Sequence, residues 1–554
     1  MKKIVILSAS IFLFISCKKD KIPAPAVVSP FTFLKATIND SAYKSGGFYN
    51  VNVSPTITLS FSSAVDTATV TSNIIFYGDG SFIQGNYAYA NNGSTLILRA
   101  SAPLKALTNY SVTIKTGLKS KSDSSLKNST SIIFLTAIDS TNKFPQISDS
   151  ALLTLIEQQT FKYFWDFGHP VSGLARERTS SGDIVTTGGS GFGIMAMLVG
   201  VQRNFITRAQ ALSRIDTIVN FLSNKVIRYH GAFSHWINGS TGATIPFSTQ
   251  DDGGDIVETS YMMQGLLCAR QFFNSTTDAN EINLRTEINN LYNGVDWNWY
   301  RQNGQNVLYW NWSPDYGWAI NVQVSGWDEA LITYVLAASS NVDSSTIPKI
   351  VYDNGWARNG GMKNGNSYYG IQLPLGPAYG GPLFFAHYSF LGINPHNLSD
   401  AYANYWQQDT SHAMINYLYC VSNPQHFNGY SNLCWGLTAS DIQNGYTASS
   451  PTNDVGVIAP TAAVSSLPYT PTQSMNAIRF FYYKLGNKIW SQYGFIDAFN
   501  LSSLWYDTDC LAIDQGPEIV MIENYRSGLL WNLFMSCPEV KRGMTNLGFQ
   551  GPNL

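Results

Sequence analysis

"TRAQALSRIDTIVNFLSNKV", residues 207–226, decides between strand and helix for most of the chain. Its apolar residues Leu212, Ile215, Val219, Leu222 and Val226 step by threes and fours, the spacing of a single helix face. Thr207 stands where the N-cap of that helix falls. The same spacing runs through 149–167, 190–202, 255–273, 327–340 and 399–421. Between these segments lie long loops rich in Gly, Asn, Trp and Tyr, such as "YWNWSPDYGWAINVQVSG" (309–326) and "SYYGIQLPLGPAYGGP" (367–382). Long ordered loops in a compact domain are usually functional. Residues 145–550 therefore read as one large all-helical domain with an elaborated face.

Upstream the period changes to two. Ile57, Leu59 and Phe61 alternate in "TITLSFSS", and Tyr110, Val112 and Ile114 in "NYSVTIKT". Short strands between Asn, Gly and Ser turns predict a β-sandwich over 31–140. The stretch "SPTITLSFSSAVDTATV", with "STLILRASAPLKALTNYSVTI" after it, resembles the bacterial Ig-like modules of surface proteins. With neither clustered acids nor exposed aromatics expected, the sandwich reads as a spacer.

The first seventeen residues, "MKKIVILSASIFLFISC", have the layout of an export signal. Lys2 and Lys3 precede an apolar run from Ile4 to Ile15 that is too short to span a bilayer. The Ser16–Cys17 ending resembles the lipobox of bacterial lipoproteins, which implies cleavage before Cys17, acylation there, and a membrane anchor held off by a tether over 18–30. The expected location is outside the cytoplasm on a bacterial membrane, the outer membrane by preference. The alternative is a soluble secreted protein.

The 554-residue chain balances 34 Lys and Arg against 36 Asp and Glu, so no net field recruits nucleic acid. Aromatics make up 14%, and all fourteen Trp fall at or after Trp165. That pairing of few charges with many aromatics suits neutral ligands with apolar CH faces, such as sugars, although most of these rings are expected in the core. Cys268, Cys420, Cys434, Cys510 and Cys537 show no zinc-type spacing, and the seven His form no HExxH. Buried free thiols, no metal and no cofactor are the expectation.

Charge is concentrated in three places. In "DDGGDIVETSYMMQGLL" (251–267), Asp255 and Glu258 have capping-box spacing, and Gly253–Gly254 puts Asp251 and Asp252 in the loop before the helix. In "SGWDEALITYVLAAS" (325–339), Asp328 and Glu329 precede an apolar stripe, where acids also complement a helix dipole. In "LAIDQGPEIVMIENYRSGLLW" (511–531), Asp514, Glu518 and Glu523 sit among apolar residues, with Arg526 as a partner for one of them. Buried acids are costly unless paired or used. Glycosidic cleavage needs one protonated carboxyl and one ionised carboxylate, which these clusters can supply.

From about 150 to 548 the chain resembles the bacterial glucoamylase-like proteins, most closely the β-1,2-glucan hydrolases of glycoside hydrolase family 144. The matching blocks are "TGGSGFGIMAMLVGV", "DDGGDIVETSYMMQGLL", "GWDEALITYVLA", "CWGLTASD", "IAPTAAVSSLPYTP", "YGFIDAFN" and "IDQGPEIVMIENYRSGLLW". The resemblance implies an (α/α)6 barrel, an inverting mechanism, and Asp251, Asp255, Glu258 and Glu329 near the cleavage point. Within that set Glu329, beside Trp327, is expected as general acid and Asp255 as base, with Asp251 and Asp514 as rivals and Glu258 holding a hydroxyl or the water. Arg176, His387 and Asp441 are expected to contact hydroxyls, and Trp327, Tyr388, Trp435 and Phe495 to stack on sugar or lie in the core. The expected partner is a glucan. The alternatives are action on another glucan, or a glycan-binding lipoprotein without catalysis.

Overall fold

The computed structural model describes residues 30–42, 47–552 and 554. The leader, Cys17 and the tether up to residue 29 lie outside them. Among the described residues no helix is long and apolar enough to cross a membrane. The chain divides into two compact units between Ile138 and Asp139.

The first unit contains strands β1 (Phe33–Ile38), β2 (Ser41–Ala42), β3 (Phe48–Val51), β4 (Ile57–Phe61) and β5 (Ile74–Gly78). They are followed by β6 (Ser81–Phe82), β7 (Gly85–Ala90), β8 (Thr95–Ala100), β9 (Asn109–Ile114) and β10 (Thr130–Thr136). Two sheets result, in the orders β2-β1-β4-β8-β7 and β3-β10-β9-β5-β6. Both period-two triplets face one shared core, with Ile57, Leu59, Val112 and Ile114 wholly buried. The expectation of no exposed aromatics is corrected here. The alternation that buries Ile74 and Phe76 turns Tyr77 outward, paired with exposed Phe82 on the edge strand β6.

The second unit alternates outer and inner elements. Outer helices are α1 (Asp149–Trp165), α3 (Arg208–Asn224) and α5 (Ala279–Asn293). Each is followed by an inner one, α2 (Thr187–Gln202), α4 (Ile256–Phe272) and α6 (Leu331–Ala338) respectively. The fourth pair departs from regular helix. Lys349–Val351 passes into a π-turn over Tyr352–Trp356, and its inner partner is two 3-10 turns, Leu383–Ala386 and Ser389–Leu391. Outer α7 (Tyr405–Ser422) with inner α8 (Pro460–Ser465), and outer α9 (Pro471–Ile489) with inner α10 (Ala512–Ser527), complete six pairs.

The inner elements close a ring. α2 packs on α4 and α10, α4 on α6, α6 on Ser389–Leu391, and α10 on α8. Between the 3-10 turns and α8, His387 Nε2 lies 3.0 Å from Ser466 Oγ, and the Tyr469 hydroxyl donates to the Ala386 carbonyl at 3.0 Å. Sequence character separates the two rings. α3 buries one stripe including Ile215, Ile218, Val219 and Leu222, whereas α2 is buried from Thr187 through Gly200. α2 approaches α4 backbone to backbone, because a Cβ on Gly265 would lie 2.1 Å from the Gly191 carbonyl oxygen.

Thr207 caps α3 in a full capping box, accepting from the Gln210 amide at 3.2 Å. The helices expected over 327–340 and 399–421 are shorter. The first is helical from Leu331, and the second begins at Tyr405, where Asn404 accepts the Gln407 amide at 2.9 Å. Arg526 does not pair with an acid of its own helix. It bonds Glu157 on α1, while Glu523 takes Arg203 in a bidentate pair at 2.6 and 2.9 Å. Cys268, Cys420, Cys434, Cys510 and Cys537 are buried free thiols.

Candidate active site

A cleft of about 370 Å³ opens at the N-terminal ends of the inner helices. Thr186, the residue before α2, Glu258 in the first turn of α4, Glu329 just ahead of α6 and Ile513 at the start of α10 all reach it. Helix N-termini carry partial positive charge, which favours anionic groups at this end of the ring. Aromatic rings of Trp236, Phe247, Trp310, Phe384 and Tyr388 form much of the wall.

Asp255 caps α4. Its Oδ1 accepts the amides of Val257 and Glu258, both at 2.9 Å, and its own amide donates to the Phe233 carbonyl. Glu258 therefore does not complete the expected capping box. Its Oε2 crosses to α2 and accepts the Gly188 amide at 2.7 Å. The remaining Asp255 oxygen lies 3.1 Å from His235 Nδ1. Asp255 is fully buried with both oxygens engaged, one as the cap of α4 and the other beside His235.

Asp251 and Asp252 precede the helix, as Gly253–Gly254 requires, and the chain there pairs Ser248 with Asp251. Burial, then the nearby Asp255 charge, raises Asp251 to about 6. Burial also raises Glu258, but His235 and the Gly188 amide act in the opposite direction. Glu329 has only a backbone hydrogen bond to oppose the rise. Burial and the neighbouring Asp328 push its pKa well above the usual range, with Glu258 and Asp255 adding to the effect. Asp328 accepts the Ala330 amide at 2.8 Å in the turn before α6, rather than within a first helical turn.

Also lining the cleft, Arg178 pairs with Glu177 at 2.8 Å and with Asp441 at 2.6 Å. The Asp441 amide donates to Asp497 at 2.7 Å. Asp514 is buried behind this group, and burial, with Glu518 and Asp441, raises its pKa to about 7 despite the hydrogen bond with Asp497. Its charge acts on Tyr388 and Tyr446, which line the cleft.

Several expected ligand contacts lie elsewhere. Arg176 lays its guanidinium over Phe167 at 4.6 Å and donates to the Phe167 carbonyl, while Arg178, two residues on, takes the cleft position. Trp327 is buried against Phe390, Tyr405 and Trp356. Trp435 is wholly buried and donates to the Gln473 carbonyl. Phe495 packs against Phe481 and Trp490. His387 is buried beside Tyr469, and burial with nearby His412 lowers its pKa to about 3. These four are core residues. Tyr388 does line the cleft.

Glu177, His235, Trp236, Phe247, Trp310 and Tyr446 were not foreseen as cleft residues. Trp236 and Tyr446 lie in strands of three and four residues and the others in irregular loops, segments too short for their spacing to show a period. Two groups have the donor types of a cation site, His235 with Asp251 and Asp255, and Asp441 with Asp497 and Asp507. In the first, Asp255 already caps α4 and contacts His235, and in the second Asp441 is already paired with Arg178.

A family model described as "Putative glucoamylase" matches residues 321–538, and one described as "Bacterial Ig-like domain" matches 30–136. The chain is 45% identical over 423 residues to an exo β-1,2-glucooligosaccharide sophorohydrolase (non-reducing end) of Parabacteroides distasonis. That match covers 72% of this chain and 58% of the relative, so the chain spans under two thirds of the curated relative's length. A solved endo-β-1,2-glucanase from Chitinophaga pinensis, in complex with sophorotriose and glucose, is 50% identical, with a TM-score of 0.72. It covers 74% of this chain and all of its own. A solved β-1,2-glucanase from Parabacteroides distasonis is 37% identical with a TM-score of 0.70, covering 93% of this chain and 72% of its own.

Proposed function

Because the chain belongs to the bacterial glucoamylase-like family, we propose that it hydrolyses β-1,2-linked glucan in the cleft at the N-terminal end of the inner ring. The observation that carries this reading is the contrast between two carboxyls of one cleft, Glu258 and Glu329. Burial raises Glu258 as well, but the Gly188 amide and the His235 imidazole oppose that rise and favour the ionised form. Glu329 is surrounded by burial and like charge, which favour the protonated form. Pairs whose environments pull their pKa values apart mark acid and base.

In the proposed step Glu329 gives its proton to the glycosidic oxygen as the C–O bond breaks. A water adds to the anomeric carbon from the opposite face and loses its proton to Glu258. The bond forms on the other face, so configuration inverts, and the two carboxyl groups belong roughly 6.5–9.5 Å apart. Aromatic walls and few charges suit the CH faces of glucose rings. Chromatography of products from linear β-1,2-glucan and from a panel of other glucans tests the substrate. Cleavage of another glucan in preference, or binding without release of reducing sugar, overturns the assignment.

For location, we propose export and anchoring through an acylated Cys17, supported by the short apolar run ending at Ser16–Cys17. Cys17→Ser should move the protein from the membrane fraction to the soluble fraction with activity kept. Wild-type protein found soluble after export contradicts the anchor.

A further inference from the structure

His235 stands between Ser234 and Trp236 at the wall of the cleft, and its ring is held from several sides. Nδ1 lies 3.1 Å from Asp255 Oδ2, the ring packs on Phe247 with centroids 4.3 Å apart, and Trp236 meets it edge-on at 5.9 Å. Asp255 in turn caps the helix whose first turn carries Glu258. One side chain thus touches the cap of the helix and lines the same cleft as the carboxylate that the helix presents.

The charges around it are one-sided. Asp255 contacts the ring, a carboxylate oxygen of Asp251 lies within 4.8 Å of both, and the Glu258 charge from the same cleft acts on it as well. On Glu258 itself, Asp255 and Asp251 repel a negative charge, and His235 and the Gly188 amide oppose them. An amide is a fixed dipole, whereas the imidazole is a full charge when protonated. Burial works against that proton, but the three carboxyl groups outweigh it and raise the His235 pKa to about 9.

We propose that His235 is a positioning residue of the reaction: as an imidazolium bonded to Asp255, it keeps Glu258 ionised beside Asp251 and Asp255 and so sets the lower pH limit of turnover. The inference rests on the reading of Glu258 as the ionised carboxylate. Without the cation, Glu258 holds its proton to higher pH, and the ascending limb of the pH–rate profile moves upward. Gln at this position can still donate to Asp255 but carries no charge. Lys supplies the charge without the ring.

The test is kcat/KM on linear β-1,2-glucan, from about pH 4 to about pH 9, for wild type, His235→Gln and His235→Lys. The ascending limb of His235→Gln should rise by about one pH unit or more, with the plateau above it largely kept, and His235→Lys should return the limb toward wild type. A uniform fall at every pH, or an unmoved limb, overturns the proposal, since a packing role gives that pattern. If His235→Gln does not fold, ring-nitrogen shifts of the wild-type histidines decide, because a His235 that is neutral at pH 7 overturns it equally. A wild type that leaves β-1,2-glucan intact contradicts the substrate reading instead, and the ring-nitrogen measurement still judges His235.

Discussion

Glu258 Oε2 accepts the Gly188 amide at 2.7 Å, a bond from the first turn of α4 to the first turn of α2. It fixes where the carboxylate points in a way that the capping box expected of this sequence does not. A Cβ on residue 188 would lie 2.6 Å from that oxygen and 2.8 Å from the Tyr261 ring. Gly188→Ala should therefore displace Glu258 and cut turnover on the order of a hundredfold, with the circular dichroism spectrum preserved. Unchanged turnover would detach the Gly188 amide from the chemistry.

Replacing either carboxyl separates stability from reaction. Glu258→Gln should reduce turnover on the order of a hundredfold or more. A residue acting only at a helix start would cost about 1 kcal/mol and leave turnover alone. Glu329→Gln should be inactive and melt at a higher temperature near neutral pH. The folded pKa of Glu329 lies above its unfolded value, so the stability linked to it is complete at acid pH and is lost as pH rises. Removing the group removes that loss. A lower melting temperature for Glu329→Gln at neutral pH would mean that the carboxylate is better satisfied than its surroundings suggest.

Two arginines in "GLARERTS" should part company. Arg178→Ala removes the partner of Glu177 and Asp441 beside the cleft and should raise KM for oligosaccharide by about tenfold or more. Arg176→Ala removes packing on Phe167 and should lower the melting temperature with KM little changed. Steady-state kinetics and melting on the same preparations check both, and the reverse assignment of effects would return Arg176 to the cleft.

Sequence period carried far in the helical unit because its outer helices are each wetted on one side. Thr207 and the Ile215–Val219–Leu222 stripe could be read directly. Of the inner ring, α2, α4 and α6 overlap stretches read as helical, whereas α8, six residues long and wholly buried, and α10, buried along most of its length, have too little polar face to set a phase. The same limit hid Leu383–Leu391, where an inner helix is replaced by 3-10 turns. At the site, acids stood out because charge is scarce in this chain, and Glu258 and Glu329 do line the cleft. Aromatics did not sort themselves. Trp327 and Trp236 are alike as residues, and only the path of the chain sends one to the core and the other to the cleft.

Acid should destabilise the unit through its buried imidazoles. Burial, with nearby His412, lowers His387 to about 3, and burial lowers His412 to about 4. Both folded values lie below the unfolded value, so the stability linked to them is present above about pH 6.5 and is lost as pH falls toward those values. Between about pH 7 and about pH 5, wild type should lose more melting temperature than His387→Gln. Equal losses would show that His387 takes up its proton without unfolding.

Proton NMR of linear β-1,2-glucan during the first minutes of digestion tests the central claim most directly, because it reads linkage cleavage and anomeric outcome together. Hydrolysis by Glu329 as acid and Glu258 as base predicts new reducing ends that appear first as the α-anomer and then mutarotate. First appearance of the β-anomer would contradict the account, since it requires a covalent glycosyl intermediate on one of these carboxylates.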